Sequence, residues 1–231
     1  MSPLKFIKKS ALRGQAFMRA WAFGNPAALI RRDLALLEAN RFDCAWPAEY
    51  GFVSSLCNSL KVRRMAEIGV AYGYHAEQIL GALPAMHYVG IDPFLPGYDP
   101  QDSFAKDVEK IFRDTPTNSM KRLWLCVLIK LTVRYGERAS LLRLKSQNAA
   151  SLFDDGTFDL IYIDGDHTFD GVSRDLAAWF SKVRPGGVFC GDDYDWDGVK
   201  RAVHKFVEER GLQLGACPVK KWKILIPQSK S

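Results

Sequence analysis

The feature that most constrains the fold is a regular alternation, from residue 64 onward, of short apolar segments with amphipathic ones. Five segments have the composition of buried strands: "RMAEIGV" (64–70), "MHYVGID" (86–92), "RASLLRL" (138–144), "FDLIYID" (158–164) and "GGVFCGDD" (186–193). Most of the sequence between them is helical in pattern. Apolar strands that alternate with helices form a parallel sheet covered by helices on both faces. The sequence therefore predicts a doubly wound α/β fold, in which ligands bind at the carboxyl ends of the strands.

The composition is that of an ordinary globular domain and disfavours several other classes. The chain has 231 residues, of which 48% are hydrophobic and 25% charged, which suits one larger domain. Its five cysteines form no CxxC pair, so a zinc site and a disulfide framework are both disfavoured. The longest apolar run, 123–133, is interrupted by Lys130 and is shorter than the roughly 20 residues of a membrane span. We expect a packed helix there, no transmembrane segment, and a reducing, cytoplasmic location.

The N-terminal region is basic and mostly helical in pattern. No acidic residue precedes Asp33, and the net charge of the chain is +6. The basic residues before it are Lys5, Lys8, Lys9, Arg13, Arg19, Arg31 and Arg32. This segment is most simply a solvated basic helix, but it would also suit an anionic membrane surface, a nucleic acid or a transit peptide. We expect a helical extension or cap over residues 1–62, an α/β domain over 63–231, and an insertion over 95–136.

The first predicted strand ends in a turn of small residues, "AEIGVAYGYHA". Gly69, Ala71 and Gly73 stand at alternate positions before a helix, and small residues let the backbone approach a ligand closely. Tyr74 stands where the third glycine of a GxGxxG motif would fall, which disfavours a dinucleotide pyrophosphate. The second strand ends in Asp92, about 20 residues further on, where a carboxylate can accept both ribose hydroxyls. Together these features predict a nucleoside-containing cofactor; the alternative for Asp92 is a turn formed with the following proline.

Four motifs in order carry a resemblance to a known family. They are "AEIGVAYGYHA", "YVGIDPF", "FDLIYIDGDHTFDGV" and "KVRPGGVFCGDDYDWDGVKRAV". Together they resemble the class I S-adenosylmethionine-dependent methyltransferases, and more narrowly the methyltransferase domain 24 type. Macrolide-sugar O-methyltransferases and cephalosporin hydroxylase-like methyltransferases are similar in this part. The resemblance covers about residues 64–210 and does not extend to the first 62 residues or to 95–136.

The resemblance implies a fold and a set of cofactor residues. The fold is a Rossmann-like sheet of seven strands, mostly parallel, in which residues 212–227 form a C-terminal antiparallel hairpin. The implied cofactor contacts are Glu67, Gly69, Ala71, Tyr72 and Gly73 at the methionine part, Asp92 at the ribose, Ser146 and Gln147 at the adenine, and Asp164 near the methyl group. Ala71 replaces a glycine found in some relatives, which is a small departure because alanine is also small.

Three aspartates follow the fourth and fifth predicted strands: Asp164, Asp192 and Asp193. In the strand order usual for class I methyltransferases these two strands are neighbours, so the three carboxylates would converge. Like charges at short range raise a pKa or require a cation, and Mg²⁺ suits oxygen ligands. A similar arrangement occurs in metal-dependent relatives, so we expect a Mg²⁺ site of these three residues. The alternative is that one or more of them caps a helix or a turn.

His167 lies three residues after Asp164. Catechol-type relatives carry a lysine base at the matching position, and histidine, with a pKa near 6.5, also suits proton removal at neutral pH. We therefore expect Asp164 and His167 to be catalytic, with Asp164 beside the methyl donor and His167 accepting the proton. The alternative for His167 is a hydrogen bond within the local turn, and Asp170 is expected to cap the following helix.

These features predict a Mg²⁺-dependent O-methyltransferase of a small hydroxylated molecule, such as a sugar or natural product. Open alternatives are a metal-independent N-, C- or O-methyltransferase, an NAD-dependent oxidoreductase and a nucleic-acid-binding protein. The expected partner is a small-molecule acceptor and not a nucleic acid, since no base-flipping motif is present; peripheral membrane contact through the basic N-terminus and homo-oligomerisation stay open. Aromatic residues that could line the acceptor pocket are Trp46, Tyr50, Phe94, Tyr98 and Trp196.

Overall fold

A computed structural model describes residues 26–40, 51–101, 103–218 and 220–228. Outside these residues lie Trp46, Tyr50 and all but the end of the basic N-terminal segment. The expectations that concern them stay predictions.

The described residues form one sheet of six strands in the order β3-β2-β1-β4-β5-β6. The strands are β1 (Arg64–Ile68), β2 (His87–Ile91), β3 (Ala139–Leu142), β4 (Phe158–Ile163), β5 (Val183–Gly191) and β6 (Trp222–Leu225). All neighbouring pairs are parallel except β5 and β6, which are antiparallel. The predicted α/β class with a mostly parallel sheet is confirmed.

The expected seventh strand is absent from the described part of the chain, and this corrects the prediction of a C-terminal hairpin. The segment before β6 makes a single antiparallel bridge, from Leu214 to Ile224. The Gly215 amide then donates to the Lys223 carbonyl at 2.9 Å. In the described chain this single bridge is the whole of the segment's pairing with β6, and Pro218 lies in the turn that follows, where its carbonyl accepts the Lys221 amide at 2.9 Å.

Within the described ranges, eight α-helices cover the sheet. They are α1 (Pro26–Ala39), α2 (Gly51–Leu60), α3 (Tyr74–Ala82), α4 (Phe104–Phe112), α5 (Pro116–Tyr135), α6 (Ser146–Ala150), α7 (Phe169–Trp179) and α8 (Asp197–Glu209). Two 3₁₀ turns, Gly136–Arg138 and Phe180–Lys182, lead into β3 and β5. None of the helices in the described ranges is long and apolar enough to cross a membrane.

Two hydrophobic clusters lie on opposite faces of the sheet. Leu160 and Tyr162 of β4 belong to the cluster that includes residues of α1 to α5, whereas Ile161 and Ile163 belong to the cluster with α6, α7 and α8. Successive side chains of a strand point to opposite faces, so a strand that is apolar throughout is buried on both sides. The predicted placement of helices on both faces is confirmed.

The predicted insertion consists mainly of α4 and α5. Helix α5 begins where the hydroxyl of Thr115 accepts the Asn118 amide at 3.3 Å and Pro116 occupies the first helical position, both typical of helix starts. Arg122 of α5 binds Asp33 of α1 through two hydrogen bonds, of 2.9 and 2.6 Å. The insertion therefore packs against α1, and part of it borders the cleft described next.

Candidate active site

The carboxyl ends of four strands meet along one edge of the sheet. Each residue that follows a strand donates its amide to the end of a neighbouring strand: Gly69 to Ile91 (2.9 Å), Asp92 to Leu142 (3.1 Å), Asp164 to Ile68 (2.7 Å) and Asp192 to Ile163 (3.1 Å). The candidate residues that stand far apart in the sequence are thus brought to one place, where the topology of such sheets predicts a ligand site.

The loop after β1 is held in a conformation that requires glycine at its first position. Gly69 has a φ of +92°, and a β-carbon there would lie 1.7 Å from the carbonyl oxygen of Asp164. The loops after β1 and β4 therefore touch backbone to backbone. This contact explains why a residue without a side chain stands at the start of the turn.

Asp92 holds the same loop from the other side. Its Oδ2 accepts the amides of Val70 and Ala71, each at 3.0 Å, and its Oδ1 accepts the Phe94 amide at 2.6 Å. Burial raises the pKa of this carboxyl, and the three amides oppose that shift. A carboxylate has about four acceptor positions, so Asp92 keeps some capacity for a ligand hydroxyl. Its predicted ribose contact stays a prediction, and its role in fixing the loop was missed.

A cleft of about 750 Å³ opens over these loops. Of the predicted cofactor residues, those that line it are Glu67, Gly69, Ala71, Tyr72, Asp92, Ser146 and Asp164. Gly73 and Gln147 are not among the lining residues. Gln147 instead donates its side-chain amide to Asp175 at 2.6 Å, and Gly73 faces Val127 of α5. Both of these residues have local structural contacts that a sequence motif does not reveal.

Glu67 is buried at the floor of the cleft. One carboxylate oxygen lies 2.6 Å from Nδ1 of His75, and the other accepts the hydroxyl hydrogen of Tyr88. The His75 ring in turn packs edge to face against Tyr162, with 4.9 Å between ring centroids. Glu67 is therefore embedded in a polar network beneath the loop.

His167 is surrounded by three aspartates. Its Nδ1 lies 2.5 Å from Oδ2 of Asp99, and its Nε2 lies 2.8 Å from Oδ2 of Asp193 and 3.6 Å from Oδ1 of Asp164. The His167 amide also donates to Asp99 at 3.0 Å. Asp99 belongs to the loop after β2 and was missed, because nothing in the "PGYDPQD" stretch distinguishes it from a turn residue.

The charges of this cluster shift the pKa values of its members. Burial disfavours the charged form of His167, but the contacts with Asp164, Asp193 and Asp99 outweigh it and raise the pKa of His167 to about 12. Burial, together with the charges of Asp192 and Asp193, raises the pKa of Asp164 to about 6 even though His167 opposes the shift. Carboxylates at both ring nitrogens thus favour the imidazolium form of His167, which is not the protonation state that a general base needs.

The expected trio of metal ligands is only partly assembled. The atoms within 4.8 Å of one another come from Asp164, His167 and Asp193. Asp192 is engaged elsewhere: its Oδ2 contacts the ammonium group of Lys221 and accepts the hydroxyl of Tyr162 at 2.9 Å. His167 takes the place that the sequence assigned to Asp192. Lys221 was also missed, although it stands in a basic "KKWK" stretch next to the last strand.

The capping alternatives are resolved by the loop between β4 and α7. Asp166, not Asp164, accepts both the amide and the hydroxyl of Thr168, at 3.0 and 2.6 Å. Thr168 is the N-cap of α7 and accepts the Gly171 amide at 3.0 Å. Asp170 lies in the first turn, so its predicted capping role is wrong.

The insertion and the start of α8 complete the cleft. Apolar side chains that line it include Leu95, Phe104, Ile111, Met120 and Trp196. The centroid of the Trp196 ring lies 4.9 Å from that of the His167 ring. An aromatic surface therefore adjoins the group of Asp164, His167 and Asp193, called the acid cluster below. Tyr98 also lines the cleft, as expected, whereas Phe94 is fully buried in the core.

The comparison that decides the family is with a family model described as a methyltransferase domain (Methyltransf_24), which matches residues 66–194, more than half of the chain. The chain belongs to this family. It is a class I S-adenosylmethionine-dependent methyltransferase, as the four motifs predicted. The matched range contains the loop after β1, Asp92, Ser146 and the acid cluster.

Solved structures show the same fold at low sequence identity. Cofactor-bound Rv0187 from MTB is 18% identical, with a TM-score of 0.61 and coverage of 93% of this chain and 96% of that one. S-adenosylhomocysteine-bound PaMTH1 of Podospora anserina is 16% identical, with a TM-score of 0.56 and coverage of 94% and 97%. The O-methyltransferase TomG of Streptomyces achromogenes, with S-adenosylmethionine, is 15% identical, with a TM-score of 0.55 and coverage of 87% and 89%. No curated protein sequence matches this methyltransferase significantly.

Proposed function

We propose that this methyltransferase transfers a methyl group to a hydroxyl oxygen of a small acceptor, with the help of a divalent cation. The observation that carries the proposal is the position of the acid cluster. The backbone carbonyl of Asp164 touches Gly69 in the loop after β1, called the glycine loop below. The carboxylate of Asp164 faces Asp193 and His167. Asp164 thus contacts both the glycine loop and the candidate cation site. TomG, which shares the fold, is described as an O-methyltransferase.

The cofactor would occupy the cleft along the ends of β1, β2 and β3. Glu67, Gly69, Ala71 and Tyr72, which line the cleft, would border its methionine part. Asp92 would accept the ribose hydroxyls, and Ser146 would border the adenine. When bound, S-adenosylmethionine supplies an electrophilic methyl group that an aligned acceptor oxygen can attack in line with the sulfur.

The donor set at the acid cluster fits a divalent cation. Two carboxylates and one imidazole nitrogen lie close enough to bind one ion, and a cation among them would offset the mutual repulsion of the Asp164 and Asp193 carboxylates. Asp164, Asp193 and His167 would hold the ion. A cation there would polarise the acceptor hydroxyl and favour loss of its proton.

The acceptor's proton would pass to a group of this cluster. His167 can accept this proton only if its ring has first lost the proton that it carries. Another positive charge, such as a bound cation, must then balance Asp164 and Asp193. The Asp99 carboxylate fixes the His167 ring with Nε2 toward the cluster, which is the orientation that either a ligand or a base requires. His167 as the base stays a proposal that depends on the cation.

The acceptor would lie between the acid cluster and the insertion. Phe104 and Ile111 supply an apolar wall, while Trp196 offers a flat surface beside His167. A ring-shaped molecule with a hydroxyl group, such as a sugar or an aromatic natural product, matches these contacts. Apolar walls give affinity, and a few polar groups fix the reacting oxygen.

A second candidate is a metal-independent methyltransferase of an N, C or O target. The observation that favours it is the position of His167 Nε2, 2.8 Å from Asp193 and 3.6 Å from Asp164, because a protonated ring there would partly balance both carboxylates without a metal ion. The two candidates differ in what a chelator does to the reaction.

The experiment is an acceptor screen that follows formation of S-adenosylhomocysteine, run in parallel with Mg²⁺, with Mn²⁺ and with EDTA. The proposal expects turnover of a hydroxylated acceptor that EDTA abolishes and added metal restores. Equal turnover in EDTA would select the metal-independent candidate. Methylation confined to amines or carbon nucleophiles would refute the O-methyltransferase proposal.

A further inference from the structure

Lys221 is a buried lysine beside the acid cluster. Its side chain is 3% exposed, and its ammonium group contacts Asp192, whose side chain is 12% exposed. Lysine is almost never fully buried unless its charge is paired, since the charge loses its hydration. The pair is therefore an internal, mutually neutralised element of the site.

Every oxygen of Asp192 faces a protein donor. Oδ2 accepts the hydroxyl of Tyr162 at 2.9 Å in addition to the Lys221 ammonium, and Oδ1 accepts the backbone amide of Asp193 at 2.8 Å. The carboxylate of Asp193, in contrast, lies 2.8 Å from Nε2 of His167. Two consecutive aspartates thus turn to different partners.

The backbone holds Lys221 in this position independently of its side chain. Gly191 pairs with Trp222 in the antiparallel register of β5 and β6, so the residues one step beyond, Asp192 and Lys221, also lie opposite each other. The Lys221 amide donates to the Pro218 carbonyl at 2.9 Å. The ammonium group is therefore fixed by the sheet register and a turn.

We propose that Lys221 is a positioning residue whose ammonium group acts as a fixed internal cation and keeps Asp192 out of the metal site. The protein ligands that remain are Asp164, Asp193 and His167. This inference rests on the proposed cation dependence and specifies which residues provide it. Two of the three ligands are carboxylates, which suit Mn²⁺, so Mn²⁺ is the probe of choice.

The test measures Mn²⁺ affinity by calorimetry and by the Mn²⁺ electron paramagnetic resonance signal, on the full chain. Lys221→Met should tighten Mn²⁺ binding about tenfold or more, because Asp192 becomes available and an attraction of about 1.4 kcal/mol is a factor of ten. Lys223→Met is the matched control: it removes the same charge from β6, two residues further along, and should leave the affinity unchanged. A gain of affinity is not what mere structural damage produces.

The double variant Lys221→Met/Asp192→Asn covers the case in which the single variant does not fold, since it leaves neither charge buried alone. It should bind Mn²⁺ within about threefold of the wild type, a difference below 1 kcal/mol. If it loses Mn²⁺ binding as fully as Asp193→Asn does, Asp192 is a ligand and the inference is wrong. Unchanged or weaker binding in a folded Lys221→Met protein would overturn it as well.

Binding of S-adenosylhomocysteine separates this inference from the proposed function. A wild type that binds the product but no Mn²⁺ contradicts the proposed cation dependence. In that case the inference stands only if Lys221→Met gains a Mn²⁺ site, and it is overturned if neither protein binds the ion. Loss of product binding in the wild type would refute the proposed cofactor cleft, whatever the result at Lys221.

Discussion

The contact between Gly69 and Asp164 predicts a large and specific cost for the smallest substitution, Gly69→Ala. The φ of +92° disfavours any residue with a β-carbon, and the new β-carbon would lie 1.7 Å from the Asp164 carbonyl oxygen. A left-handed backbone conformation costs about 1–2 kcal/mol, and forcing an extra carbon into a packed place adds roughly 1–3 kcal/mol. We expect the free energy of unfolding to fall by about 2–5 kcal/mol, together with loss of S-adenosylhomocysteine binding.

Gly211→Ala is the matched control for this prediction. Gly211 has a φ of +62°, but no atom lies within 4 Å of the added β-carbon, so only the conformational cost of about 1–2 kcal/mol applies. Urea denaturation measures both variants, and calorimetry measures product binding by the folded protein. Equal losses of stability in the two variants, with product binding intact in Gly69→Ala, would refute the backbone contact as the reason for glycine.

Three further predictions concern the charges of the molecule. Burial raises the pKa of Asp175 to about 7, so the folded state holds this proton more tightly than the unfolded chain does. The stability that comes from protonated Asp175 is therefore fully present below about pH 4 and is lost as the pH rises through 7. Asp175→Asn should therefore flatten the decline of the unfolding free energy between pH 5 and 8, and urea titrations in which the variant keeps the wild-type slope would contradict it. Asp99→Asn should reduce turnover or Mn²⁺ affinity about 10–100-fold and lower the pKa of His167 in an NMR titration, while an unmoved His167 pKa would show that Asp99 does not hold the ring. Asp193→Asn should abolish Mn²⁺ binding but keep S-adenosylhomocysteine affinity within about threefold, and calorimetry would contradict the assignment if Mn²⁺ still bound.

The parts of the fold predicted correctly depend on local sequence. The strands before Asp92 and Asp164 were predicted because each apolar run ends sharply in an acid, and their structural ends, Ile91 and Ile163, fall one residue before it. The apolar run 123–133 was expected to be a packed helix and lies within α5. These features depend on the hydrophobic pattern of a few neighbouring residues.

The missing seventh strand shows where local pattern fails. Residues 212–227 have the composition of two strands, but only one bridge forms before Pro218. Composition favoured a strand here, but Leu214 forms only a single bridge, to Ile224. Whether such a segment pairs over its whole length depends on how it meets β6, which the sequence alone does not show.

The sequence indicated most of the residues that meet in the acid cluster but not their pairings, and their catalytic and metal-binding roles stay predictions. Asp164, His167 and Asp193 do meet, but His167 rather than Asp192 completes the group. The reason is two partners from distant sequence: Asp99, which holds His167 across 68 positions, and Lys221, which holds Asp192 across 29. Neither carries a motif, because a charged residue in a loop acquires its role only from what the fold places opposite it.

Calorimetric titration of the purified protein with S-adenosylhomocysteine tests the central claim most directly. We expect one site per chain with micromolar affinity, retained in EDTA because Glu67, Asp92 and the glycine loop, not the acid cluster, would provide most of the contacts. Absence of binding both with Mg²⁺ and with EDTA, in a protein that is folded, would contradict the assignment of the cleft to this cofactor.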